Sequence, residues 1–221
     1  MTIGHFTKRT SMGISERRQQ ERQERRASIV EAAKAVFLEK GIEHTTMKDI
    51  ADRAELSKAA LYIYFKNKEE LTFELLHTSF QLVQDLIDQA AAEGTDGYHK
   101  LELIARSFLE MFDQQAEYIY FSLIMEQYSY SISRQLPTTQ KCLALLTDIQ
   151  QSIVALLNEG IRDGSIRRDL EAEKSAVLFL HMAISFMQRI SLMRGVFDPE
   201  RTYKTAELVE QMFNIFLHSL K

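Results

Sequence analysis

The 221-residue chain contains one cysteine, two prolines and no tryptophan. Because Cys142 stands alone, no disulfide can form within the chain, and a zinc site built from several cysteines is excluded. Cys142 fits a small apolar residue in a helix, and no neighbouring motif supports a redox sensor. Proline and glycine are the residues that interrupt helices, so their scarcity predicts long helices and an all-α fold.

Long apolar runs and enzyme motifs are also missing. No stretch reaches the roughly 18 apolar residues of a membrane span, and residues 1–15 lack the apolar segment of a secretory signal. We expect a cytoplasmic protein whose residues 1–22 form a flexible basic arm. The sequence has no Gly-x-Ser-x-Gly, His-Glu-x-x-His or phosphate-binding glycine loop, and no two histidines lie three or four residues apart. These absences predict no metal, no cofactor and no enzyme.

Charge is distributed unevenly along the chain. The net charge is −4. Residues 1–71 hold 14 Lys and Arg against 11 Asp and Glu, a net of +3, whereas the remainder holds 13 against 20, a net of −7. A basic N-terminal third on an acidic body predicts that any nucleic-acid contact lies near the N-terminus.

Three helical patterns follow one another in this basic third. The first has an apolar stripe at helical spacing and ends at Gly41, which favours the left-handed conformation found just after helices. Thr46 and Asp49 form a capping-box pattern that starts the second helix, and Ser57 is an N-cap signal for the third. The residues of the first stripe are Ile29, Ala32, Ala33, Val36 and Phe37.

The third helix has one anchoring side and one outward side. At 100° per residue, Leu61 and Phe65 fall together and can pack on the two earlier helices. The residues that face away are Ala59, Tyr62 and Ile63, with Lys58 on the border. Asn67 can cap a long fourth helix, with Glu70 three positions later, which reaches about Ala92 before Gly94.

Residues 26 to 71 resemble the DNA-binding domain of the TetR family of bacterial regulators. The matching positions are Arg26, Ile29, Ala32, Ala33, Phe37, Gly41, Thr45, Thr46, Ile50, Ala51, Ala54, Ser57 and "LYIYFKNKEEL" from Leu61. The resemblance implies about nine helices: a helix-turn-helix domain over residues 23–71, whose last helix continues as a connector to about residue 92, and a larger helical ligand-binding and dimerisation domain over residues 72–221.

The resemblance also implies which residues contact DNA. Tyr62 would lie at the DNA surface, Tyr64 would reach a phosphate, and Lys68 would pair with a phosphate. Lys58 and Lys48 are the candidates for guanine recognition, because the alanines beside them offer only methyl contacts. The full set is Thr46, Lys48, Ser57, Lys58, Ala59, Ala60, Tyr62, Tyr64 and Lys68. The family turn often has glycine where this chain has Glu55, so a positive φ there would cost about 1 kcal/mol.

The C-terminal two thirds of the chain has helical patterns without a diagnostic motif, and Gly164 is expected to end a long helix begun near Pro137. The helix before the last is apolar nearly all round, and the last one carries a wide apolar arc, which predicts a partner subunit. The predicted dimer-interface residues are Met212, Phe213, Phe216 and Leu220. A dense set of aromatic and methionine residues suggests a ligand pocket lined by Phe108, Met111, Phe112, Phe121, Met125, Tyr128, Phe179, Met182 and Phe186.

These features together predict a homodimeric regulator that binds double-stranded DNA at a palindromic operator. Repression relieved by a small apolar or amphipathic effector is the favoured mode. Three alternatives stay open: a regulator controlled by a protein partner, a DNA-binding protein that needs no ligand, and a transcriptional activator.

Overall fold

The computed structural model describes residues 14–114, 119, 137–193 and 204–221. All regular secondary structure in these ranges is helical, which confirms the predicted all-α class. The eight helices are α1 Ile14–Lys40, α2 Met47–Arg53, α3 Lys58–Tyr64, α4 Lys68–Glu93, α5 Gly97–Gln114, α6 Pro137–Asp163, α7 Ala172–Met193 and α8 Thr205–Ser219. The chain divides into two compact units, Met1–Leu71 and Thr72–Lys221.

The N-terminal unit is a three-helix arrangement around one small core. Helix α2 packs on α1 and on α3. Leu61 and Phe65, the predicted anchors of α3, are completely buried with Phe37 of α1 and Ile50 of α2. These side chains remove apolar area from water at about 25 cal/mol per Å², which holds the two short helices in place.

Helix α1 starts earlier than the sequence predicts. Residues 14–22 belong to the helix, although they were assigned to the flexible arm together with residues 1–13, which lie outside the described residues. The segment consists of strong helix formers, and pairs at i and i+4 support it. Arg17 Nε lies 3.9 Å from Glu21 Oε1, and Gln20 Nε2 donates to Glu24 Oε1 at 2.9 Å. Such pairs lie on an exposed face, so an apolar stripe does not reveal them.

The predicted caps of α2, α3 and α4 and the predicted end of α1 are confirmed. Thr46 Oγ1 accepts from the Asp49 backbone N–H at 3.2 Å, and Asp49 Oδ2 accepts from the Thr46 N–H at 2.9 Å. At α3, Ser57 Oγ accepts from the Ala60 N–H at 3.1 Å. Asn67 Oδ1 caps α4 through the Glu70 N–H at 2.8 Å. The first helix ends at Gly41, whose φ is +78°.

The C-terminal unit encloses a second core between its helices. Helix α5 packs on α6 and α8, and α7 packs on α6 and α8. An aromatic cluster lies at the centre: the ring centroids of Phe108 and Phe213 are 6.1 Å apart, and those of Phe179 and Phe216 are 4.8 Å apart. Offset and tilted ring pairs at these distances stabilise a core beyond the area they bury.

Helices α5 and α6 approach most closely where Gly97 meets Gly160. A Cβ atom added at Gly97 would collide with the Gly160 backbone. Two polar contacts join the same crossing: the Asp163 carboxylate accepts from the Gly97 N–H at 2.9 Å, and Lys100 Nζ lies 2.6 Å from Glu159 Oε1. The end of α6 follows directly, with Gly164 at φ +83° as the predicted terminator.

Candidate nucleic-acid interface

Helix α3 presents a compact polar and aromatic surface to solvent. Its buried side holds Leu61, while the Tyr62 side chain is 44% exposed. Lys58 and Ala59 are exposed, and Ala60 is partly buried. The Lys58 ammonium lies 5.9 Å from the centroid of the Tyr62 ring. Because small alanines stand between these two side chains along the helix, the backbone of α3 can approach a groove closely while Lys58 and Tyr62 supply hydrogen-bond donors.

Thr46 and Lys48 lie on α2 and its cap. Both are exposed. The Thr46 hydroxyl donates to Asp49 Oδ2 at 2.7 Å and is part of the capping box, so it already has a structural role. Lys48 lies two residues after the cap, on the first turn of the helix, and is exposed to solvent. Backbone N–H groups at the start of a helix, together with an exposed lysine, suit contact with phosphate.

The connection between α1 and α2 is fastened by Asp49. Lys40 Nζ donates to Asp49 Oδ1 at 2.7 Å. This bond, together with the hydrogen bonds from the Thr46 hydroxyl and backbone, holds the pKa of the Asp49 carboxyl well below its usual range. The carboxylate is therefore ionised throughout the physiological range and keeps the N-terminus of α2 in a fixed position.

Arg26 joins α1 to the end of α3. Its Nη1 donates to the Tyr64 carbonyl at 3.1 Å, and its guanidinium carbon lies 4.1 Å from the centroid of the Phe65 ring. A guanidinium stacked on an aromatic ring and bonded to the adjacent carbonyl holds both groups in one geometry. Tyr64 is half-buried at this junction, and its contact with a phosphate stays a prediction.

Lys68 has partners that the sequence does not predict. Its ammonium donates to the backbone carbonyls of Ile42 at 2.6 Å, Thr45 at 3.2 Å and Glu43 at 3.3 Å. An ammonium has three N–H donors, and here they are directed at the loop between α1 and α2. In this conformation Lys68 fastens that loop to the start of α4, and its pairing with phosphate stays a prediction.

Glu55 occupies the left-handed region with φ +54°, which makes it the one residue other than glycine with positive φ in the part of the chain that the structure describes. The sequence analysis anticipates this conformation from the glycine usual in the family turn. A side chain here costs about 1 kcal/mol. The turn between α2 and α3 is nevertheless formed, since the Leu56 N–H donates to the Ala51 carbonyl at 2.9 Å.

The C-terminal unit contains a small apolar cavity of about 60 Å³. Phe108 and Met111 line it, as the sequence predicts. Among the described residues, the other lining positions come from α4, α7 and residue 119: Ser79, Phe80, Leu82, Val83, Ile119, Ile184 and Met187. Met187 belongs to the dense aromatic and methionine set of the sequence. Leu82, Val83, Ile119 and Ile184 were missed because sequence reasoning weighted aromatic residues and methionine, and Phe80 was missed because the pocket was placed on helices beyond α4.

Several predicted pocket residues lie elsewhere. Met182 is 38% exposed on α7, so assigning it to the pocket was wrong. Phe112 and Phe179 are fully buried core residues that do not line the cavity, and Phe186 packs at the edge of the core. The remaining three, Phe121, Met125 and Tyr128, lie outside the described residues.

The predicted dimer-interface residues lie in the core of a single chain, so their part in a dimer stays a prediction. Met212, Phe213, Phe216 and Leu220 are at most 9% exposed, because the helices of their own unit cover them. The exposed apolar residues of α7 and α8 are different ones: Val177, Leu178, Met182 and Ile215. His181 lies exposed next to Met182. We call these four exposed residues the apolar face.

The described ranges contain no group of three or more His, Cys, Asp or Glu side chains placed to hold a metal ion. None of their helices combines the length and the hydropathy that crossing a membrane requires.

Comparison with known proteins supports the geometry of the N-terminal unit. Residues 29–75 match the family described as bacterial regulatory proteins, tetR family. The transcriptional regulator TtgR of Pseudomonas putida is 27% identical over 185 residues, covering 82% of this chain and 87% of TtgR. The transcriptional repressor KstR2 of Rhodococcus jostii is 26% identical over 149 residues, covering 67% of this chain and 71% of KstR2.

The similarity extends to the whole fold. The crystal structure of PfmR from Thermus thermophilus, a TetR family transcriptional regulator, superposes with a TM-score of 0.68 at 25% identity, covering 87% of this chain and 98% of PfmR. The match thus includes the C-terminal helices as well as α1 to α3. The helix-turn-helix geometry, the match of residues 29–75 and these relatives all indicate a TetR family transcriptional regulator.

Proposed function

We propose that this protein is a homodimeric repressor that binds a palindromic operator and is released from it by a small apolar effector. The observation that carries the proposal is the outward face of α3, where Lys58 and Tyr62 are exposed on a helix whose other side is fully buried. A helix fastened in this way fits the major groove of B-DNA, which is about 12 Å wide. The similarity to KstR2, named as a transcriptional repressor, favours repression over activation.

The proposed contacts separate into base recognition and positioning. Lys58 is the candidate for bidentate bonds to a guanine, and the Tyr62 ring can pack against a thymine methyl group or a sugar. Lys48 and the capped start of α2 would contact phosphate and set the register without reading sequence. A pair of such units in a symmetric dimer would read two half-sites about 34–36 Å apart, or a multiple of that distance.

The apolar face supports the dimer. Leu178 is 57% exposed and Ile215 is 60% exposed, Val177 and Met182 are exposed as well, and the two helices that carry them pack against each other. Large aliphatic side chains clustered on the last two helices commonly mark a surface that another protein covers. A second copy of this chain, related by a two-fold axis, would bury the same residues from both sides.

The cavity supports an effector only if it expands. A volume of about 60 Å³ is far below the roughly 300–1,000 Å³ of pockets for drug-sized ligands. An apolar ligand would therefore have to displace side chains of α4, α5 or α7. Helix α4 lines the cavity with Phe80 and Val83, and its first turn carries Lys68, which holds the α1–α2 loop. Movement of α4 would thus reach the DNA-binding unit through one continuous helix.

The small cavity also favours a second candidate function, a DNA-binding regulator that responds to a protein partner or to no ligand. The two candidates differ in one measurable way. To lower operator affinity tenfold, an effector must bind the form that does not bind DNA more tightly than the DNA-binding form, by about 1.4 kcal/mol. A ligand-independent regulator shows no such release.

The test begins with the operator. Purified protein is mixed with fragmented genomic DNA from its source organism, and the retained fragments are sequenced. We expect one or a few enriched sites with an inverted repeat. Enrichment of no sequence over the input would overturn the proposed function.

The effector is tested next on the recovered operator. Fatty acyl compounds, planar aromatic compounds and hydrophobic cations are titrated against the protein–DNA complex, and thermal stability is recorded in parallel. A compound that raises thermal stability and releases DNA supports the first candidate. A broad panel without either effect favours the second.

A further inference from the structure

The N-terminal half of α1 carries a row of arginines on a defined side of the helix. Arg18, Arg22 and Arg25 follow one another at four and three residues, so they lie within about 60° of one another around the axis. The same spacing continues through Ile29, Ala32 and Val36, which face the core. One stripe of α1 is therefore basic before Ile29 and apolar after it. We call the three arginines the basic stripe.

The basic stripe is available to an external anion. Residues 15–25 are exposed throughout. Within the described ranges, no ion pair is formed by the three arginines, whereas two of the three acidic residues nearby have side-chain partners: Glu21 with Arg17, and Glu24 with Gln20. A charge run on a solvated helix is often no more than a solubilising surface. Here, however, the three arginines lie within one narrow stripe of the helix.

The position of the stripe relative to α3 is fixed. An open cleft of about 620 Å³ lies between α1 and the end of α3. Its α1 side holds the three arginines of the basic stripe together with Glu21, Glu24 and Ser28, and its α3 side holds Ile63 and Tyr64, so three positive charges outnumber two negative ones. Arg26 holds the two helices together through the Tyr64 carbonyl and the Phe65 ring. The stripe therefore extends from the same side of the unit as the C-terminal end of the proposed recognition helix.

We propose that Arg18, Arg22 and Arg25 bind phosphates of the operator backbone just outside the half-site that α3 reads. The inference rests on the proposed function, because it takes α3 as the element in the groove. The stripe spans seven residues, about 10.5 Å of helix, which corresponds to the axial rise of about three nucleotides on one strand. Arginine suits this role, since its guanidinium binds phosphate through two parallel hydrogen bonds.

The choice of partner follows from charge and position. Any anionic surface could attract three arginines, including an acidic protein. The stripe, however, lines one cleft with the end of α3, so DNA bound to α3 would bring its flanking phosphates to the stripe. The contact carries no base information, and it should strengthen binding to every sequence by a similar factor.

The experiment compares two triple variants of the full chain. R18Q/R22Q/R25Q removes the stripe, and glutamine keeps the helix propensity close to that of arginine. R167Q/R168Q/K174Q removes the same charge from exposed positions of the C-terminal unit and controls for overall electrostatic attraction. Operator affinity is measured from about 50 to 200 mM salt, the range over which phosphate contacts change affinity strongly, and each complex is footprinted with hydroxyl radicals. Circular dichroism verifies the helix content.

We expect R18Q/R22Q/R25Q to bind the operator at least tenfold more weakly at low salt, and the slope of log affinity against log salt to fall by about two to three. Its footprint should lose protection at the outer edges of each half-site and keep protection at the centre. Wild-type affinity, slope and footprint in this variant would overturn the inference, and so would an equal loss in the control variant. Failure of the proposed function is distinguishable, because the wild-type protein itself would then leave no operator footprint.

Discussion

The ammonium of Lys68 lies 2.6 Å from the carbonyl oxygen of Ile42, across a separation of 26 residues in the chain. The bond connects the first residue of α4 to the loop that sets the angle between α1 and α2. A position implied by family resemblance to bind phosphate is thus also a structural fastening of the N-terminal unit.

Replacing Lys68 with alanine distinguishes the two roles. Loss of the fastening should lower the free energy of unfolding by about 1–3 kcal/mol, since hydrogen bonds from a charged group are lost and carbonyls are left without partners. Loss of a phosphate contact should instead lower the salt slope of operator binding by about one at unchanged stability. Chemical denaturation and binding across salt measure both. Lys66→Ala, an exposed lysine two residues earlier, is the control, and a variant unchanged in both respects would contradict both roles.

Tyr62 should contribute to binding and little to stability. Its side chain is 44% exposed, so Tyr62→Ala should leave the free energy of unfolding within about 0.5 kcal/mol of wild type. Operator affinity should fall by about 1–3 kcal/mol. Tyr62→Phe separates the ring from the hydroxyl, since it retains only the packing contact. Leu143→Ala, which truncates an exposed apolar residue in the other unit, serves as control. Wild-type affinity of Tyr62→Ala would show that α3 meets DNA by a different face.

The apolar face and the buried core of the last helix should respond differently to a charge. Leu178→Glu and Ile215→Glu place a carboxylate at positions that are already exposed in one chain, so we expect folded monomers. Phe213→Glu places it at a position only 3% exposed, where an unpaired charge is not tolerated, so we expect loss of folded protein. Sedimentation velocity and circular dichroism report the two outcomes. Dimers that persist in both Leu178→Glu and Ile215→Glu would exclude this face as the interface.

Glu55→Gly should stabilise the protein. The residue has φ +54°, and relief of the left-handed strain is opposed in part by the greater freedom of glycine in the unfolded chain, which leaves a net gain of up to about 0.5 kcal/mol. Urea denaturation measures the gain. Glu55→Ala keeps the Cβ and the strain, so it should show no comparable increase, and equal stability of the two variants would remove the backbone explanation.

The thiol of Cys142 should react slowly in the folded protein, and it should make the free energy of unfolding depend on pH above about 8.5. Burial, with a smaller contribution from Glu74, raises the pKa of the thiol to about 11, above the roughly 8.5 of a free cysteine. The folded state therefore holds its proton longer than the unfolded state, so the associated stability is present below about pH 8.5 and is lost as pH rises toward 11. The difference in unfolding free energy between wild type and Cys142→Ser should narrow over that interval. Rapid reaction of the native thiol with a disulfide reagent at pH 8 would contradict this account.

Local signals could be predicted from the sequence, and contacts between distant segments could not. The caps at Thr46, Ser57 and Asn67 depend on side chains three residues away, so their spacing alone reveals them. The strain at Glu55 was anticipated only through the resemblance, because the family turn often has glycine at that position. Lys68 illustrates a contact that local sequence cannot predict, because no residue near it in the chain indicates that it will bind the carbonyls of residues 42–45.

The apolar helices show a second limit. Hydropathy indicates that a side chain tends to be buried, but not whether it is buried within its own chain or against a partner. Phe213 and Leu178 carry similar signals, yet the first lies in the core and the second faces solvent. The cavity likewise depends on how four separate segments pack, so only Phe108 and Met111 of its lining were predicted.

The contact between Gly97 and Gly160 fixes α5 against α6 at one end of α5. The two backbones are in contact there because neither residue has a side chain, and the ion pair between Lys100 and Glu159 joins the same ends of the helices. Phe108 and Met111 lie further along α5, about 16–21 Å from Gly97 at 1.5 Å per residue. Because this end is fixed, movement of α5 that widens the cavity is expected at its far end, where a small rotation about the glycines gives the largest displacement.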